Sequence, residues 1–111
     1  MKARALRLAL LLIVSVAPGA TAVGPTILGP GGLPCTKWAD QRPEVFSAQG
    51  GWVLGYLSGL AVASNSRGLE NSDDVWAIFQ WIDNYCRVHP LDTVAVATHR
   101  LFDELNRRGP K

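Results

Sequence analysis

The residues in this chain with chemistry to offer are two cysteines, two histidines and a handful of carboxylates. Cys35 and Cys86 can pair as a disulfide, or one can stay a reactive thiol with His89 or His99 as its base. No nucleophile motif surrounds either cysteine, so the pair is read as a disulfide. Closing a loop of about 50 residues would contribute roughly 3 to 5 kcal/mol in the chain-entropy account. His89, which precedes Pro90, and His99 are not spaced as metal ligands, and no metal or other cofactor is expected. Asp73-Asp74 suits the positive end of a helix better than an acid/base pair. Asp83, inside Trp81-Ile82-Asp83-Asn84-Tyr85-Cys86, is the candidate pH-linked group. A carboxylate hydrogen-bonded among aromatics would couple its ionisation to stability, whereas one on a polar face would not. Ser58 in Gly55-Tyr56-Leu57-Ser58-Gly59 is not a Gly-x-Ser-x-Gly elbow. No catalytic residue is expected, and the chain reads as a non-enzyme.

The compartment decides the cysteine question. Lys2, Arg4 and Arg7 precede an apolar run from Leu8 to Ala17, Pro18-Gly19 ends it, and Ala20-Thr21-Ala22 places small residues at −3 and −1. That layout predicts a signal peptide over residues 1–22, cleaved after Ala22. The alternative is a membrane anchor, but a spanning helix needs about 20 apolar residues and this run is roughly half that. The expected location is the periplasm or the exterior, where thiols oxidise. Cleavage removes three of the 11 Lys+Arg and none of the nine Asp+Glu, so the formal charge moves from +2 to −1. No basic stripe is left for nucleic acid and no polybasic patch for a membrane surface.

Residues 23–34, with four glycines and three prolines, read as a flexible leader. Residues 35–106 then read as one all-α domain of three to four helices, and 107–111 as a tail. A short helix begins at Cys35 and is limited by Pro43. A second covers Glu44 to Ala63 or starts near Gly51, with apolar residues spaced by threes and fours. A third runs from about Asp73 to Arg87, capped by Asn71 or Ser72, with Val75, Ile78, Phe79, Ile82 and Cys86 on one face. The last starts at Pro90 or is capped by Asp92, and carries Leu91, Val94, Leu101, Phe102 and Leu105 on its apolar face.

Gly51, Gly55 and Gly59 recur every four residues and share one helix face, at about 1 kcal/mol each relative to alanine. Close approach of another helix would explain them, either between molecules or, as the preferred reading, within one bundle. Trp52 and Tyr56 lie beside this strip. With Trp38, Trp76 and Trp81 the small domain has more indole than its core can fully enclose, so some tryptophans are expected at a contact surface. The candidate protein-contact residues are Trp52, Gly55, Tyr56, Gly59, Trp76 and Trp81.

The chain from Cys35 to Leu105 resembles the HdeA/HdeB-like group of small periplasmic acid-stress proteins. The resemblance is carried by Cys35 with its short helix, Trp52-Val53-Leu54-Gly55-Tyr56-Leu57-Ser58-Gly59, an aspartate at Asp73 or Asp74, and Cys86 followed by Pro90 and a terminal amphipathic helix. It implies a helical fold with a Cys35–Cys86 bridge and an ATP-independent chaperone that dimerises, opens at low pH and binds unfolding clients. The tryptophan content departs from that group. A second similarity, to Rap1a/Tai-type immunity proteins, implies binding of one specific effector, although that group carries more cysteines. The expected partners are proteins, a second copy of the chain included.

Overall fold

A computed structural model describes residues 13, 24–41 and 47–109. The signal peptide expected over 1–22, Ile13 apart, lies outside the described residues, as do Glu44 to Phe46 and the last two residues. Among the described residues four helices form an all-α bundle: α1 (Cys35–Gln41), α2 (Ala48–Ser64), α3 (Val75–Val88) and α4 (Val94–Arg107). Short 3-10 turns at Gly29–Gly32 and Gly68–Asn71 complete it. Among the described residues no strand forms, and Pro34 and Thr93 meet in an isolated antiparallel bridge.

α2, α3 and α4 each start where a side chain satisfies one of the helix's first free N–H groups, whereas α1 starts on backbone bonds from Cys35 N–H to Asp92 and Lys37 N–H to Pro34. Ser47 caps α2 by accepting from the Gly50 N–H at 3.0 Å. Gly50 and Gly51 therefore sit inside its first turn and do not interrupt it. Asp74, rather than Asn71 or Ser72, caps α3, accepting from Ala77 N–H at 2.8 Å. Thr93, rather than Asp92, caps α4 through the Val96 N–H at 3.2 Å. Consequently Leu91 falls before the helix and is 94 % exposed, outside the apolar face expected to hold it. α2 ends at Asn65 in the left-handed conformation (φ 51°), where the Ser66 N–H reaches back to the Ala61 carbonyl at 2.9 Å.

The core is one cluster drawn from all four helices: Cys35 and Trp38 of α1, Val53 and Leu57 of α2, Ile78, Phe79 and Ile82 of α3, and Val94, Leu101 and Leu105 of α4 among them. The Cys35–Cys86 disulfide ties α1 to α3 with both sulfurs buried. Trp38, one turn beyond Cys35, is fully buried and meets Phe79 edge-on at 5.7 Å. At the far end, Asn71 is buried and donates to the carbonyls of Leu105 (2.8 Å) and Gly109 (2.6 Å). Gly68 lies so close to Asn106 that a Cβ there would overlap it, which keeps the 3-10 turn against α4.

The segment expected as a free leader is folded onto the bundle from Leu28 onward. Leu33 accepts from Val94 N–H at 2.9 Å, and Cys35 N–H donates to Asp92 at 2.7 Å. Its glycines permit this: Gly29 has φ +79°, and Gly31 presses on the Trp52 ring where no side chain would fit.

Asp83 is exposed rather than enclosed, yet it is hydrogen-bonded to an aromatic residue: its Oδ1 accepts from the buried Trp38 Nε1–H at 2.5 Å. Asp83→Ala is expected to cost about 1 to 2 kcal/mol, because the indole N–H loses a charged acceptor. Asp83→Asn keeps an acceptor and should cost less. Urea unfolding of the two variants checks this, and an alanine variant as stable as the parent would contradict it.

Candidate protein-contact surface

α2 departs from the other long helices in one respect. From Ser47 to Ser66 the chain contains no Asp, Glu, Lys or Arg. Gln49, Gly50, Val53 and Leu57 face the core. The opposite side is formed by Ala48, Gly51, Gly55, Ser58, Gly59 and Val62, all exposed. α3 and α4 place polar residues on their outward faces, as surface helices do, but α2 is apolar or neutral all round. A Cβ built on Gly51, Gly55 or Gly59 would meet nothing within 4 Å. The reading preferred from sequence, that these glycines pack within the bundle, is therefore corrected. The strip faces outward, and Val62 at its end is 83 % exposed.

Trp52 and Tyr56 flank this strip on the side toward α4. Their rings stack at 4.9 Å, and the Trp52 Nε1–H donates to the Leu28 carbonyl at 2.8 Å. The Tyr56 hydroxyl lies 3.4 Å from His99 Nδ1, and His99 Nε2 lies 3.9 Å from Asp103. Sequence reasoning did not pair Tyr56 with His99, because they are 43 positions apart and only the α2–α4 packing brings them together.

The remaining tryptophans divide. Trp38 is core. Trp76 is 62 % exposed and leans edge-on against Phe79 at 6.2 Å. Trp81 stacks on Tyr85 at 5.4 Å, and Tyr85 stacks on His89 at 4.1 Å, so two rings of α3 and the histidine just past its end form a pile of flat rings. The six contact candidates thus form no single patch. Trp52, Gly55, Tyr56 and Gly59 share α2, while Trp76 and Trp81 lie on two different sides of α3.

Two of the clefts among the described residues have linings that bear on a site. The larger, about 320 Å³, is lined by Ser66, Asn71 and Asn106, whose polar atoms already hold neighbouring chain segments together. The smaller, about 160 Å³, has Ile78, Leu101 and Leu105 as an apolar floor, Trp81 as a wall, and Asp73 and Arg108 on its rim. Among the described residues no group of three or more His, Cys, Asp or Glu could hold a metal, and no helix is long and apolar enough to cross a membrane. Comparison with known proteins finds no matching family model, no matching curated protein and no matching solved structure.

Among the described residues, Tyr85 carries an ionisation displaced from its ordinary value. Its hydroxyl donates to Asp92 Oδ2 at 2.6 Å. Burial of the phenol raises its pKa above 10.0, the hydrogen bond to Asp92 and that carboxylate's charge add to the rise, and Arg100 opposes it. Above pH 10.0 the unfolded phenol loses its proton while the folded one still holds it. The unfolded state then binds fewer protons, so this group's contribution is intact below that pH and is lost as pH climbs toward the folded pKa. Tyr85→Phe should therefore show a shallower fall in melting temperature from pH ~9 to ~11 than the parent. Parallel curves would contradict the assignment.

Proposed function

We propose that this chain is an exported, non-enzymatic protein that acts through protein contacts, as an HdeA-like, ATP-independent periplasmic chaperone under acid stress. The single observation that carries the reading is the uncharged outward face of α2, with Gly51, Gly55 and Gly59 open to solvent beside Trp52 and Tyr56. A water-facing helix ordinarily carries charge, and contiguous apolar surface marks a contact site. The disulfide-closed helical frame and the signal-peptide layout of residues 1–22 agree with the resemblance that suggested the role.

Acid supplies a physical trigger. With the signal peptide of residues 1–22 removed, nine carboxylates face eight Lys+Arg and two histidines. Protonating all of them moves the formal charge from −1 to near +10, which loosens a packed structure by self-repulsion.

A second reading draws on Trp76. A largely exposed indole on a rigid helix is the residue type that anchors specific interfaces, which favours one dedicated partner of the Rap1a/Tai type.

The two readings separate experimentally. The chaperone reading expects the mature protein to suppress aggregation of a model client at pH about 2 to 3 and to do so weakly at neutral pH. Absence of suppression in acid would remove it. The specific-partner reading expects a stoichiometric complex at neutral pH that Trp76→Ala weakens by about 2 kcal/mol, roughly thirtyfold.

A further inference from the structure

We propose that residues 24–33 form a releasable strap over Trp52, and that its release enlarges the contact surface of α2. The proposal rests on the reading of α2 as a protein-contact face and adds a device that controls how much of that face is available.

The segment crosses from α4 to α2 and is held at two places. The Leu33 carbonyl accepts from Val94 N–H at 2.9 Å, and the Leu28 carbonyl accepts from Trp52 Nε1–H at 2.8 Å. Between these ties Gly31 is buried against the six-membered part of the Trp52 indole, where a Cβ would overlap ring atoms. Little else fixes the segment. Leu28 is 80 % exposed, and Ile27, Pro30 and Leu33 are only partly covered, so none of its large side chains is fully buried. It has no charged residue, and four of its ten positions are glycine, which gain most conformational freedom on release.

Its position makes the release separable from unfolding. The strap lies N-terminal to Cys35, outside the loop that the Cys35–Cys86 disulfide closes. It can therefore detach while α1 stays bonded to α3 and the core cluster stays closed. Local openings of this kind cost far less than global unfolding in segments with few buried contacts. What detachment uncovers is Trp52, the aromatic neighbour of the Gly51, Gly55 and Gly59 strip, with Tyr56 stacked on it. The bound strap thus leaves the strip open but covers the large apolar side chain at its edge.

The Val94 amide reports the strap directly. It belongs to the first residue of α4, has no partner inside that helix, and bonds only across to Leu33. Amide hydrogen exchange on the oxidised mature chain at neutral pH is therefore the test. Two variants loosen the strap from opposite sides: Gly31→Leu, whose side chain cannot share space with the indole, and Trp52→Ala, which removes the anchor. Both are expected to speed exchange at Val94 by about tenfold or more, with less than about twofold change at Ile82 and Leu101 in the core. Gly31→Leu, which keeps Trp52, is also expected to bind an apolar fluorescent dye several times more strongly than the parent. Unchanged exchange at Val94, or a rise shared equally by Ile82 and Leu101, would overturn the strap as a separate unit. Faster exchange at Val94 without added dye binding would overturn its role as a mask. Absence of acid chaperone activity in the parent bears on the proposed function alone, since neither the exchange nor the dye readout depends on it.

Discussion

The bond between Cys35 and Cys86 is the constraint from which the rest of the architecture follows. α1 has seven residues, far fewer than a helix needs to persist alone in water. It exists because its first residue is covalently fixed to α3 and because Trp38, one turn later, is fully enclosed against Phe79. A buried indole needs an acceptor for its N–H, and Asp83 reaches inward from the surface of α3 to provide it. Covalent bond, aromatic packing and charged hydrogen bond all join the same two helices. The backbone bond from Cys35 N–H to Asp92 brings the start of α4 to the same place.

This concentration at one side explains why α2 can be unusual. α3 and α4 are amphipathic and supply most of the core, so α2 closes the bundle with Val53 and Leu57 alone fully buried among its large apolar side chains. Nothing in the packing of the domain requires its outer face to be free of charge or to carry three glycines in register. Glycine in a helix is unfavourable by about 1 kcal/mol relative to alanine. Within the bundle, space does not demand it at these positions, since a methyl group would fit at each. The cost is understandable if another surface must come close to the backbone of α2, which is the physical content of the proposed function.

Much of this arrangement was legible in the residues themselves. The periodicity of Val75, Ile78, Phe79, Ile82 and Cys86 identified α3 and its buried face, and the two cysteines identified the brace. Helix starts were harder, because Asn71, Ser72, Asp73 and Asp74 are all competent caps. The choice fell to Asp74, since Asn71 is taken up by the carbonyls at the end of α4. Leu91 read as core because it lies in phase with α4, but Thr93 starts the helix after it. The glycine-proline segment read as loose because local composition gives no sign of a distant acceptor or donor. Only the fold brings Trp52 to Leu28 and Val94 to Leu33. The outward direction of the glycine strip was undecidable from spacing, which places three residues on one face without saying which way that face points.

The central claim is that the neutral outer face of α2 touches other proteins. Gly55→Lys places a charge at the middle of that face, where the added side chain meets open space and leaves the core cluster untouched. Aggregation of a model client, measured at pH about 2 to 3 where a lysine is fully charged, reads the effect directly. The account predicts that the variant keeps the parent's helical circular dichroism and loses most of its client protection. Protection equal to the parent's, with the fold intact, would contradict it.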